Sequence, residues 1–157
     1  MELLRSDIVK SALSSDGAVS FLKRTVPPLD KRLLRLSRGW LNTGLQPVTL
    51  LQTVGAKSGV ARTVATLCMP VGSDLVLVGS NWGQDKDPAW AHNLRANPTC
   101  GVIFRGYDGP MEAQELKGRA RALMWEHVVR FNPQYARYQE GTTRQLPIML
   151  LKRVYED

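Results

Sequence analysis

A chain of 157 residues, 43% hydrophobic and 22% charged, reads as one globular domain long enough to bury a core without disulfide or metal staples. Its formal net charge of +7 and isoelectric point near 9.8 favour an anionic partner, whether nucleic acid, acidic lipid or a polyanionic small molecule. No apolar run approaches the ~18 residues of a bilayer span, and the opening MELLRSDIVKSALSSDG lacks a signal peptide's apolar core, so the expectation is a soluble, cytoplasmic chain.

Residues 1–46 form a basic arm punctuated by Pro27-Pro28. The spacing that follows predicts an amphipathic helix, with Leu29, Leu33, Leu36 and Trp40 on one stripe and Lys31, Arg32, Arg35 and Arg38 across from it. Such a helix either covers one side of the core or rests on an anionic membrane at the inner face of the cell. From Val48 the pattern turns to short β-rich runs: VTLLQTV (48–54), RTVATLCMP (62–70), then DLVLVGS (74–80) after Gly72-Ser73. Asp87-Pro88 predicts the N-cap and first turn of a helix reaching about Ala96, closed by Asn97-Pro98. TCGVIFRG (99–106) reads as a strand, and MEAQEL (111–116), after Gly109-Pro110, as another. In KGRARALMWEHVVRF (117–131) apolar residues at 120, 123, 124, 128 and 131 predict a helix with that face buried. Asn132-Pro133 signals a further helix start, with Tyr135 and Tyr138 on one face, and LPIMLLKRV (146–154) returns to strand. The order lacks βαβ alternation, so an α+β fold is expected: an antiparallel sheet or barrel over residues 47–157 with flanking helices.

Two segments can carry chemistry. VGAKSGVART (54–63) sets Lys57, Ser58 and Arg62 among glycines. A phosphate-binding P-loop needs four residues before its GK[ST], and here only Ala56 separates Gly55 from Lys57, so that reading fails on spacing. What remains is a glycine turn whose cations and amides converge on an anion, or an ordinary basic hairpin. GSNWGQDKDPAWAHNL (79–94) runs from a strand end through a glycine-bearing loop into a helix, with Trp90 and Asn93 on one helical face beside His92. These are either ligand contacts or a core tryptophan with a capping asparagine. Cys68 and Cys100 have no metal or redox spacing and read as buried, reduced thiols. The only histidines are His92 and His127, and neither G-x-S-x-G nor a carboxylate pair occurs, which disfavours a hydrolase or a metalloenzyme. Helix-turn-helix, zinc-finger and aromatic–basic strand patterns are also lacking, which disfavours nucleic acid. An enzyme built this way leaves its chemistry to a bound cofactor.

Taken together, TVGAKSGVAR (53–62), GSNWG (79–83) and PAWAHNLRANP (88–98), with NPQYARYQEGTTRQLPIMLL (132–151) toward the C-terminus, resemble the deazaflavin-dependent nitroreductase and quinone reductase family of actinobacteria, over roughly residues 45–153. The resemblance implies a split β-barrel related to flavin-binding barrels, and coenzyme F420 as cofactor. It implies that Ala56, Lys57, Ser58 and Arg62 hold the cofactor's phosphate and glutamate tail, and that Thr63, Val64, Ala65, Thr66 and Leu67 flank the ring. Gly79, Ser80 and Asn81, then Ala89, Trp90, Ala91, His92 and Asn93, would lie along the deazaflavin and its ribityl chain. Tyr135 would close the ring pocket, with Tyr135 or Tyr138 donating a hydrogen bond or proton to the acceptor. Ala65 and Thr66, where relatives often carry proline and leucine, and Asn132, where they can carry a tyrosine, mark departures on the acceptor side. The implied activity is hydride transfer from reduced F420 to a small electron-poor acceptor: a quinone, an enone or a nitro compound. Two alternatives stand beside it: an FMN enzyme on the same barrel, and a non-catalytic cofactor carrier or membrane-surface module.

Overall fold

The computed structural model describes residues 46–155 and, before them, the helical positions 31, 32, 35 and 36. The rest of the expected basic helix, including Leu29, Leu33, Arg38 and Trp40, lies outside the described residues.

Seven antiparallel strands form one sheet: β1 (Val48–Val54), β2 (Ala61–Leu67), β3 (Met69–Val71), β4 (Asp74–Val78), β5 (Thr99–Phe104), β6 (Tyr107–Glu115) and β7 (Ile148–Arg153). Their spatial order is β2-β1-β5-β6-β7-β4-β3. The two edges are therefore neighbours in the chain, joined through Cys68, and β2 comes back into contact with β4, so the sheet curls into a split barrel. The expected single strand 62–70 divides at Cys68, whose amide makes a last bond beside β1, to the Pro47 carbonyl at 3.0 Å, before the chain turns into β3. That bend lets the chain pass from one edge of the sheet to the other. The β5–β6 hairpin turns at Arg105 and Gly106, both at positive φ, the conformation a two-residue hairpin turn needs. The break expected at Gly109-Pro110 does not occur. Pro110 sits inside β6 opposite Gly101, at the end of the stretch that pairs with β7 from Met111 onward, where its carbonyl accepts from the Val154 amide at 3.4 Å and a proline interrupts no continuing ladder.

Three helices flank the barrel: α1 (Ala89–Ala96), α2 (Gly118–Phe131) and α3 (Gln134–Glu140). The barrel interior is a single apolar cluster of Leu51, Leu77, Trp90, Leu94, Val102, Met111 and Leu151 with their neighbours. A second cluster, with Val76, Val128, Tyr135, Leu146 and Ile148, seals α2 and α3 against the outer face of β4 and β7. The buried face of α2 differs from the expected one. Leu123 is 52% exposed and Phe131 also faces outward, whereas Arg121 and Val128 are buried. The reason is Arg121: its guanidinium donates to the Leu146 carbonyl at 2.7 Å and lies over the Trp125 ring, so its aliphatic stem takes a core position that a hydrophobic count assigns to leucine. Among the described residues no helix is long and apolar enough to cross a membrane.

Candidate functional site

The turn between β1 and β2 is built by its glycines. The Gly55 amide bonds the Val60 carbonyl at 2.8 Å and the Gly59 amide bonds the Gly55 carbonyl at 2.9 Å. Gly59 has φ +66, left-handed, which favours glycine, and a Cβ on Gly55 would displace the Ser58 hydroxyl and crowd the Val60 carbonyl at 3.3 Å. Ser58 Oγ folds back to accept from the Val60 amide at 3.2 Å. Lys57 and Arg62 are exposed, and neither has an ion-pair or hydrogen-bond partner among the described residues. The amides of Lys57 and Ser58 likewise have no acceptor among them. The turn thus offers two uncompensated cations and two open N–H donors, a donor set suited to a multiply charged anion.

Asn93 fixes this turn to α1. Its Oδ1 accepts from the Ala56 amide at 2.9 Å, and its Nδ2 donates to Thr53 Oγ1 at 3.0 Å. At 8% exposure, with both ends of its amide engaged, Asn93 holds the turn in place rather than facing a ligand. By the same bond the Ala56 N–H is no longer open to an anion. Trp90 and Ala91 are buried in the barrel core, while Ala89 and His92 are exposed on the outer side of the helix. On β2, Thr63 to Thr66 are half-buried along the sheet edge and Leu67 is exposed.

The loop from β4 to α1 is conformationally constrained. Asn81, Trp82 and Gly83 all have positive φ, at 44°, 60° and 77°, a conformation costly for residues that carry a Cβ. Arg144, which sequence reasoning did not single out, holds the loop from beneath. Its Nη1 donates to the Gly79 carbonyl at 3.1 Å and to Asp87 at 2.6 Å, Nη2 to the Ser80 carbonyl at 2.9 Å, and Nε to the Gln84 carbonyl at 2.9 Å. Asp87, expected as a helix cap, instead bridges Arg144 and Arg95; α1 starts at Ala89 with Pro88 as its cap and no side-chain capping bond. Arg95 continues to Glu115 at 2.7 Å, and Lys117 adds a second cation at 2.9 Å. The hydrogen bond to Arg95 is the main reason that the Glu115 carboxyl is held down to about 2.

Tyr135 is 5% exposed and packs in the second cluster with Val128, Leu146 and Ile148. Tyr138 is half-buried, and its ring packs on Gly83, where a Cβ would come within 3.2 Å. Burial raises the phenol pKa of both, reinforced at Tyr135 by Cys68 and Tyr138, so each hydroxyl keeps its proton across the neutral range. The structure therefore brings the Asn81–Gly83 turn beside α3, holds Gly79 and Ser80 through Arg144, and separately ties the Lys57 turn to α1. Among the described residues no group of three His, Cys, Asp or Glu side chains could hold a metal ion.

The model of the F420H(2)-dependent quinone reductase family matches residues 32–153 of this chain. An F420H(2)-dependent quinone reductase of Mycobacterium tuberculosis is 31% identical over 113 residues, covering 70% of this chain and 76% of that protein. A solved F420-H2 dependent reductase superposes with a TM-score of 0.62 at 36% identity, over 68% of this chain and 94% of that one. A second solved chain, described as a domain-swapped dimer, gives 0.64 at 31% identity over 78% and 94%.

Proposed function

Since the chain belongs to the F420H(2)-dependent quinone reductase family, we propose that its β1–β2 turn grips the anionic tail of F420 and that the β4–α1 loop and α3 frame the ring and the acceptor. The protein is an oxidoreductase that uses coenzyme F420 and a quinone-type acceptor. The observation carrying the assignment of the turn is its pair of cations without partners among the described residues, Lys57 and Arg62, beside the amides of Lys57 and Ser58 that have no acceptor among them. A phosphate followed by glutamates is a multiply charged anion of the kind that donor set suits.

The chemistry that F420H2 supplies when bound is hydride delivery; binding, orientation and proton supply fall to the chain. Thr63, Val64, Ala65, Thr66 and Leu67 would wall one side of the ring, with Gly79, Ser80 and Asn81 along the other. Ala89 and His92 would meet the cofactor from the exposed side of α1, and Trp90, Ala91 and Asn93 would support that surface from within. Hydride arrival leaves negative charge on a quinone oxygen. A tyrosine phenol, protonated at neutral pH, can donate a hydrogen bond or a proton there, the role proposed for Tyr138 and Tyr135. The barrel and its cofactor site would occupy residues 47–157, behind the basic arm of 1–46.

Titration with F420 and, separately, FMN, each followed by its ring absorbance and fluorescence, tests the reading. F420 is expected to bind and FMN to compete weakly; preference for FMN would replace the cofactor assignment. Turnover of F420H2 with menadione separates an enzyme from a carrier.

The arm carries a smaller proposal, peripheral contact of a cytoplasmic enzyme with an anionic membrane surface. Its support is Leu36, 87% exposed on a helical stretch beside the exposed Arg32 and Arg35. Equal sedimentation with anionic liposomes of the wild-type chain and of one carrying Arg32→Glu, Arg35→Glu and Leu36→Asp would count against it.

A further inference from the structure

We propose that Arg144 is a positioning residue for the reaction, holding the left-handed Asn81–Trp82 turn against the ring site and coupling it to the helix that carries Tyr138. The inference rests on the reading of the site given above.

Three observations carry it. First, the bonds of the Arg144 guanidinium bracket the strained stretch: the carbonyls of Gly79 and Ser80 lie on one side of Asn81-Trp82-Gly83, that of Gln84 on the other. Residues with a Cβ stay left-handed only where their surroundings over-determine the backbone, and three bonds donated to its carbonyls by one planar, permanently charged group do that. Second, the Arg144 side chain is itself fixed, 15% exposed and braced by the Asp87 carboxylate at 2.6 Å. Third, its backbone is tied to α3. Gln139 Nε2 donates to the Arg144 carbonyl at 2.7 Å, and Gln139 Oε1 accepts from the Leu146 amide at 2.9 Å. The loop and the tyrosine helix thus share one connector, and the Tyr138 ring closes the arrangement by packing on Gly83.

The turn that carries Lys57 and Arg62 is held separately, through Asn93. Loss of Arg144 should therefore disturb the reacting geometry more than tail binding. For Arg144→Gln we expect kcat with menadione to fall about tenfold or more, as misplacement by an ångström can cost more than that. The Kd for F420 should stay within about threefold, a change of less than the tenfold worth of one strong contact. A residue that merely stabilises the fold would change the fraction folded and leave kcat per folded enzyme intact, so the rate is referred to the folded fraction measured by circular dichroism.

The deciding measurement repeats Arg144→Gln in a Trp82→Gly background. Glycine adopts the left-handed turn without help, so there the kcat loss caused by Arg144→Gln should shrink to about threefold or less. An equal fold-loss in both backgrounds would overturn the inference, as would kcat for Arg144→Gln within about twofold of wild type. If Arg144→Gln does not fold, the same cycle is run with Asp87→Asn, which frees one side of the guanidinium, under the same two outcomes. Should wild-type protein fail to bind F420 at all, the functional reading itself falls; binding and turnover in wild type without coupling to Trp82 removes only the role of Arg144.

Discussion

The carboxamide of Asn93 accepts a hydrogen bond from the backbone of Ala56 at 2.9 Å, joining a helix to a turn 37 residues earlier in the chain. Because its other end donates to Thr53, Asn93→Ala strands a buried hydroxyl and frees the turn. The expected result is a stability loss of about 1–3 kcal/mol together with weaker F420 binding. Thr53→Val removes one bond and leaves the bond to Ala56, so it should cost stability with little change in Kd. Equal Kd changes for the two variants, measured by fluorescence titration beside thermal unfolding, would count against the role given to Asn93.

Lys57→Ala or Arg62→Ala removes a cation with no competing partner among the described residues. Each should weaken F420 binding about tenfold or more, since charge-assisted bonds are worth about 1.5–3 kcal/mol. The midpoint of unfolding should hardly move, because both side chains are exposed. The weakening should itself diminish as salt is raised.

Tyr138→Phe is expected to reduce single-turnover oxidation of F420H2 by menadione more than it reduces F420 affinity, because a hydrogen bond to charge that develops during transfer acts only in the transition state. Tyr135→Phe is the sterner comparison. Tyr135 lies in a core cluster, and if packing is its whole contribution, the variant loses stability and keeps its rate. A single-turnover rate within about twofold of wild type, less than ~0.5 kcal/mol in barrier, excludes a catalytic hydroxyl at whichever tyrosine shows it.

Acid stability should report on Glu115. Its folded pKa, near 2, lies below the ordinary carboxylate value, so the ion pair with Arg95 stabilises the fold above about pH 4.5 and loses that contribution as pH falls toward 2. Glu115→Gln is expected to cost about 1 kcal/mol at pH 7, a modest figure because Arg95 is partly exposed. Urea unfolding of both proteins at several pH values should show the gap closing between pH 4.5 and 2. A gap of constant size would exclude the pair as its source.

Both thiols are buried, and burial pushes Cys68 and Cys100 up to about 12. Neither should react with a disulfide reagent at pH 8 until the protein unfolds, and two thiols per chain should then appear. Rapid labelling of native protein would contradict this burial.

What could be read from the sequence was local. The strands 48–54 and 74–78, the helix after Pro88 and the hairpin that presents Lys57 and Arg62 follow from periodicity and from glycine and proline punctuation, and the structure has them. The arrangement around Arg144 was not legible. It joins residues about 60 positions apart, and an arginine in TTRQLP carries no periodic signal of what it will meet. Asp87 misled for the same reason. A carboxylate before Pro88 resembles a cap, but two arginines reach it in the folded chain and two charge-assisted pairs outweigh one capping bond. The face of α2 was misplaced because a buried arginine occupies a position that counting apolar residues gives to leucine.

The sheet order has a consequence for synthesis. Among the described strands β7 comes last in the chain, yet it lies between β6 and β4 and pairs with both. Until it leaves the ribosome, the Leu75–Val78 run of β4, buried in the finished protein, has only the three residues of β3 beside it. A nascent chain therefore carries an open apolar strand edge while the stretch from Val78 to Ile148 is made, and a premature stop between these two leaves that edge open for good.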